Sequence, residues 1–174
     1  SDTSAVARTG AALLGCIAAL ALPAVSEGTE IGAHRPFGVG VVAGNPTGLS
    51  GKLYLNPRTH AVDLALAYNT WGGARGSFYV HGTYLWHPSE LWDDAVFTMP
   101  WYVGVGPMLG FFAGDRRPDG WDGSVFLGGR VPVGIDLDFK QVPIQVFMEA
   151  SLRLFLIPGT NVGIGAALGV RYYF

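Results

Sequence analysis

The sequence predicts an all-β chain, an eight-stranded antiparallel up-and-down transmembrane β-barrel preceded by a signal peptide. Three observations carry this reading. Apolar residues recur with period two in about eight separate segments, the mark of strands with one oily face and one small or polar face. After residue 30 no stretch reaches the run of about 18 apolar residues that a helical span needs, although the chain stays hydrophobic. Hydrophobic residues make up 49% of the 174 residues and charged ones only 14%, against roughly 25% charged in soluble domains. Twenty-six glycines beside 7 Tyr and 10 Phe suit the turns and tight inward packing of a closed sheet.

The first segment reads as an address. Residues 5–26 hold a weakly basic start at Arg8, an apolar run from Ala11 to Leu22 and the small-x-small site Ala24-Val25-Ser26. That is the layout of a secretory signal, and the run is too short to cross a bilayer as a helix. Residues 1–26 are expected as the signal peptide and 27–174 as the outer-membrane barrel domain. A rival reading takes Leu13-Leu14-Gly15-Cys16 as a lipoprotein signal with Cys16 acylated, but the apolar run continues beyond Cys16, where a lipoprotein turns polar. Cys16 is the one cysteine, so the remaining chain can form no disulfide and no cysteine-based zinc site.

Strands are expected at roughly 35–44, 47–56, 59–68, 76–87, 100–113, 123–138, 142–157 and 161–174. The second sends Lys52 and Tyr54 inward. The sixth turns Val125, Leu127, Val131, Val133 and Ile135 outward, with Arg130 and Asp136 inward. In the seventh, Ile144, Val146, Met148, Ala150, Leu152 and Leu154 oppose Gln145, Phe147, Glu149, Ser151 and Arg153. An arginine on the lipid side at the bilayer midplane costs about 2–4 kcal/mol, so Glu149 and Arg153 belong to the lumen. The eighth is the clearest, with Val162, Ile164, Ala166, Leu168, Val170, Tyr172 and Phe174 on one face. Its Val170, Tyr172 and Phe174 resemble the signal recognised by the bacterial outer-membrane assembly machinery.

An even strand count puts both barrel ends of the chain on the periplasmic side. Loops near Gly44–Pro46, Asn69–Arg75, Asp115–Asp122 and Pro158–Asn161 then face outward, and Asp115-Arg116-Arg117-Pro118-Asp119-Gly120 is the best candidate for contact with an extracellular protein. The longest connector, His87 to Met99, falls on the periplasmic side, against the usual rule of short periplasmic turns, and its Pro88-Ser89-Glu90 start suits the cap of one helical turn. Trp71, Trp86, Trp92, Trp101 and Trp121 sit near strand ends or in connectors, as an interfacial girdle requires.

A barrel of this size is filled by side chains, and charges inside it must pair. Turns centred near Pro57-Arg58 and Gly72 place Lys52 opposite Asp63 and Asp63 beside His81. Turns near Phe139-Lys140 and Thr160 place Glu149 between Arg130 and Arg171. Two lumen clusters are therefore expected, Lys52-Asp63-His81 and Arg130-Glu149-Arg171, which with the inward Arg153 make up the lumen polar network; they read as plugs, and the alternative reading is an ion pathway or gate.

Five phrases then appear in order: Gly44-Asn45-Pro46-Thr47-Gly48-Leu49-Ser50-Gly51-Lys52, Tyr79-Val80-His81-Gly82-Thr83-Tyr84-Leu85-Trp86-His87, Gly129-Arg130-Val131-Pro132-Val133-Gly134, Val142-Pro143-Ile144-Gln145-Val146-Phe147-Met148-Glu149 and Gly169-Val170-Arg171-Tyr172-Tyr173-Phe174. Together they resemble a family of small outer-membrane barrels of undefined function, found in spirochaetes and other Gram-negative bacteria, with an architecture similar to OmpA and OmpX. The resemblance covers almost all of the expected mature chain. It implies a bacterial outer-membrane location, with outer-membrane lipid, lipopolysaccharide and the assembly machinery as partners. The adhesive properties of some relatives depend on variable loops and are not carried over, and Arg153 departs from the family's more apolar segment.

The charge of -2 offers no basic patch for nucleic acid. No catalytic site is expected, because none of His34, His60, His81 and His87 gathers with a serine at the outer rim. Neither a metal nor a cofactor is expected: His81 and His87 share a face but stand about 20 Å apart, and no phosphate-cradling loop precedes a helix. Three roles compete. The first is a structural or surface-interaction barrel with a filled lumen. The second is a narrow, porin-like channel. The third is a soluble lipocalin-like lipid-binding barrel, which would turn its apolar residues inward and its charges outward.

Overall fold

The computed structural model describes residues 30–70, 75–112 and 124–174. The expected signal peptide with Cys16, and Trp71, Trp121 and Asp115–Asp122 in the loops, lie outside the described residues. Eight strands run in chain order: β1 Phe37–Gly44, β2 Thr47–Asn56, β3 His60–Tyr68, β4 Ser77–Asp93, β5 Phe97–Phe112, β6 Val125–Phe139, β7 Ile144–Ile157 and β8 Asn161–Tyr173. Each pairs antiparallel with the next, and β8 returns to β1 from Gly38↔Tyr173 to Gly44↔Ala167, closing the barrel. Among the described residues there is no helix. Both barrel ends of the chain share one end with the turns after β2, β4 and β6; the connectors after β1, β3, β5 and β7 form the other, loop end.

Period two decides the faces. Leu64, Leu66, Val131, Val133, Leu152, Leu154, Ile164 and Leu168 stand exposed on the outside, while the alternate positions are buried in the lumen. Large inward rings lie against inward glycines of the neighbouring strand. A Cβ at Gly134 would meet the Tyr102 ring, one at Gly169 the Phe147 ring, and one at Gly38 the Tyr173 ring. Tyr102↔Gly134, Phe147↔Gly169 and Gly38↔Tyr173 are direct cross-strand partners. Closure leaves no edge strand, and the glycines make room for large rings inside an eight-strand barrel.

Two expectations about the wall are corrected. The His87-to-Met99 connector is not a loop with a capped helical turn: β4 continues to Asp93 and β5 starts at Phe97, leaving a short turn. The register shifts between Trp86 and Ser89 and again between Glu90 and Trp92. Bulges insert an extra residue and throw the alternation out of phase, so the strand signal faded where the strand did not. The second correction is the register of β6, β7 and β8. Arg130 pairs with Arg153 and Gly134 with Glu149, and Arg171 pairs with Gln145. The β6–β7 turn runs through to Pro143, whose nitrogen cannot donate to a ladder, so its centre lies later than Phe139-Lys140.

Candidate functional site

The lumen is layered. Near the end shared by the chain ends sit Ile31, Tyr54, Ala61, Leu85, Tyr102 and Tyr173, and near the loop end Ala67, Tyr79, Met108, Phe112, Phe126 and Phe155. Charged residues occupy the space between. All seven residues of the expected network are buried: Lys52, Asp63, His81, Arg130, Glu149, Arg153 and Arg171. Their partners differ from those the cross-strand arithmetic names.

Lys52 and Asp63 are cross-strand partners, as the turn position requires, yet their charges do not meet. Lys52 Nζ reaches across the lumen from β2 to β6, 2.5 Å from Asp136 Oδ2, and stands 3.0 Å from His87 Nε2 on β4. The Tyr54 and Tyr102 rings flank the ammonium at 4.8 and 5.1 Å, a cation–π arrangement. Asp63 instead pairs with Arg171, which also donates to Ser50 Oγ at 2.9 Å and Gln145 Oε1 at 3.0 Å and lies over the Phe147 ring. His81 Nδ1 is 3.9 Å from Asp63 Oδ1, and Arg130 Nη1 lies 2.8 Å from His81 Nε2.

Arg130 and Glu149 form an ion pair, and Tyr102 donates to the same carboxylate at 3.0 Å. Arg171 is not part of that pair. Arg130 and Arg153 face each other across the β6–β7 ladder, a like-charge juxtaposition that costs stability unless the side chains part. They do part: Arg130 turns to Glu149, and Arg153 turns toward the loop end. There Arg153 donates to Asn69 Oδ1 at 2.7 Å and to the Asn45 carbonyl, with its guanidinium over the Tyr79 ring. A cavity of about 10 Å³ remains among Asp63, His81, Arg130, Glu149 and Arg171, room for about one water.

The expected network omitted Asp136, His87, Asp138 and Gln145, all of them buried. Asp136 and Gln145 already stood on the inward faces of their strands in the sequence pattern. His87 was placed at the barrel rim because its strand was expected to end there, whereas it shares the inward parity of His81. The missing signal was geometric: partners lie across the axis, and sequence spacing along paired strands does not report that distance.

Known structures offer a match at the level of fold. The N-terminal β-barrel domain of Pseudomonas aeruginosa OprF superposes with a TM-score of 0.58 at 12% identity, covering 79% of this chain and 96% of that domain. The chain shares the OprF barrel fold. At that identity the likeness concerns architecture alone. No family model matches the sequence and no curated protein is similar to it, so the likeness to the spirochaetal barrel family extends no further than an eight-stranded closed barrel.

Proposed function

We propose that this chain is an integral outer-membrane β-barrel with a side-chain-filled lumen, serving a structural or surface-interaction role. One observation carries the reading: aliphatic residues cover the outside of the wall while ion pairs and buried arginines fill the inside. Water would penalise such an exterior, and lipid would penalise the reverse arrangement. Two outward aromatic bands support it. Near the loop end the Phe78 ring lies 4.9 Å from a tilted Tyr68 ring and stacks on Phe111 at 5.9 Å, and near the other end lie Trp86, Trp92, Tyr172 and the Phe37–Phe174 pair. Interfacial girdles of this kind flank the apolar band of outer-membrane barrels.

In this reading, lipid and lipopolysaccharide surround the wall, and an extracellular protein ligand would meet the loop end. The assembly machinery would read the outward face of β8 at Val170, Tyr172 and Phe174. A lipocalin-like role suits the chain poorly, because such a barrel needs an apolar, hollow interior. The small central cavity and the apolar layers at both ends support a plug over a pore. Planar-bilayer recording of the refolded chain tests this directly: absence of steady single-channel steps is expected, and steady channels removed by blocking the lumen would overturn the filled-lumen reading.

A further inference from the structure

The wall does not close the barrel at the end shared by the chain ends. Residues 30–36, ahead of β1, do. Their turn is built on itself: Gly32 N–H donates to the Arg35 carbonyl at 3.0 Å and His34 N–H to the Glu30 carbonyl at 3.1 Å, with Gly32 at φ +81°. From this turn Ile31 enters the mouth and is buried against Tyr54, Ala61, Leu85, Tyr102 and Tyr173, while Glu30, Ala33 and His34 stay exposed. The strap is fastened to the wall by Arg35 Nη1 to the Tyr173 carbonyl at 3.1 Å and by Tyr54 N–H to the Pro36 carbonyl at 2.8 Å.

Behind Ile31, Tyr54 and Tyr102 each lie 5.4 Å from the His87 ring, so the apolar stopper rests on the Lys52–His87–Asp136 layer. That layer is imperfectly satisfied. Asp136 is fully buried, yet its Oδ1 has no hydrogen-bond partner among the described residues, and neither has His87 Nδ1. Asp138, on the same inward face of β6, accepts from Gln145 Nε2 at 2.7 Å and has no cation within ion-pair distance among the described residues. A seated Ile31 gains apolar burial while keeping water from groups that would be better solvated. Beyond them the Asp63–Arg130–Glu149–Arg171 layer and the loop-end aromatic cluster bar the way.

We propose that residues 30–36 are a displaceable stopper over a dead-end vestibule, which when open admits water and a small cation to the Asp136–Asp138 face of β6. The test uses the full chain with Cys16→Ser, folded in detergent micelles, where both mouths meet solvent. A thiol is placed at Ala61→Cys and labelled with a trimethylammonium methanethiosulfonate or its sulfonate counterpart. Ile31→Ser raises the labelling rate about tenfold or more, and Arg35→Met raises it by less. The cationic reagent is the faster of the two, and Ala67→Cys in the loop-end cluster keeps its rate. An unchanged rate at Ala61→Cys would overturn the stopper, an equal rise at Ala67→Cys would mean general loosening instead, and equal rates for the two reagents would remove the cation. Amide exchange needs no introduced thiol: Ile31→Ser is expected to speed exchange at Tyr54 and not at Ala67, and equal protection at Tyr54 would contradict the proposal.

Discussion

On β7, Met148, Leu152 and Leu154 stand exposed on one face, while Phe147, Glu149 and Arg153 on the other each meet a named group from elsewhere in the barrel. The same contrast holds around the wall. In the proposed membrane setting, outward positions ask only for an apolar side chain, because lipid tails would accommodate any shape. Inward positions are specified one by one, because eight strands enclose a space about as wide as the side chains that fill it. The difference teaches where this fold tolerates change: the outside answers to polarity, the inside to identity.

The largest expected effect breaks an inside pair. Arg130→Met leaves Glu149 buried without its cation and is expected to lower unfolding stability by about 3–5 kcal/mol in a urea titration. Arg130→Met with Glu149→Met should recover most of that loss, since apolar replacement of both partners is often near neutral. Equal stability of wild type and Arg130→Met would show that the pair is idle.

Outside, polarity is the lever. Leu152→Arg is expected to cost about 2–4 kcal/mol in vesicles, whereas Leu152→Val stays within about 0.5 kcal/mol. An arginine tolerated there would mean that the face is wet. Next in size is shape. Gly134→Val drives a side chain into the Tyr102 ring and should cost about 1–3 kcal/mol, while Ala150→Val on the outer face should change little.

The inward glycines also show how much of the fold was legible. Strand number, closure order and the faces of β6, β7 and β8 follow from alternation, because the two-residue period survives wherever a strand has one oily side. The β4–β5 hairpin did not, because two bulges shift the phase around Trp86–Trp92. The inward identity of the charges was readable from the cost of placing Arg153 in lipid. Their partners were not: Lys52 meets Asp136 and Asp63 meets Arg171 across the axis, between strands that are not neighbours. Cross-strand arithmetic measures distance around the wall, and in a narrow barrel the distance through it is as short.

The smallest expected effect lies in the turn between β4 and β5. Asp94 accepts from the backbone N–H groups of Phe97 and Val96, then from Trp92 Nε1, which holds its carboxyl below the usual range. A lowered folded-state value means that its contribution is present above the ordinary carboxylate value and is lost as pH falls through the lowered one. Amide exchange at Val96 and Phe97 should therefore accelerate as acid protonates Asp94, after correction for intrinsic rates. Asp94→Ala should show that faster exchange already at neutral pH.

The central claim is that the aliphatic side of the wall meets lipid tails and the charged side does not. Bilayer lipids carrying nitroxides on their acyl chains test it most directly, with an environment-sensitive fluorophore attached one site at a time in a Cys16→Ser background. Fluorophores at Leu64, Val133 and Leu152 are predicted to be quenched strongly, most of all by nitroxides deep in the chains. Weak quenching at those positions, with strong quenching by a water-soluble agent instead, would contradict the account.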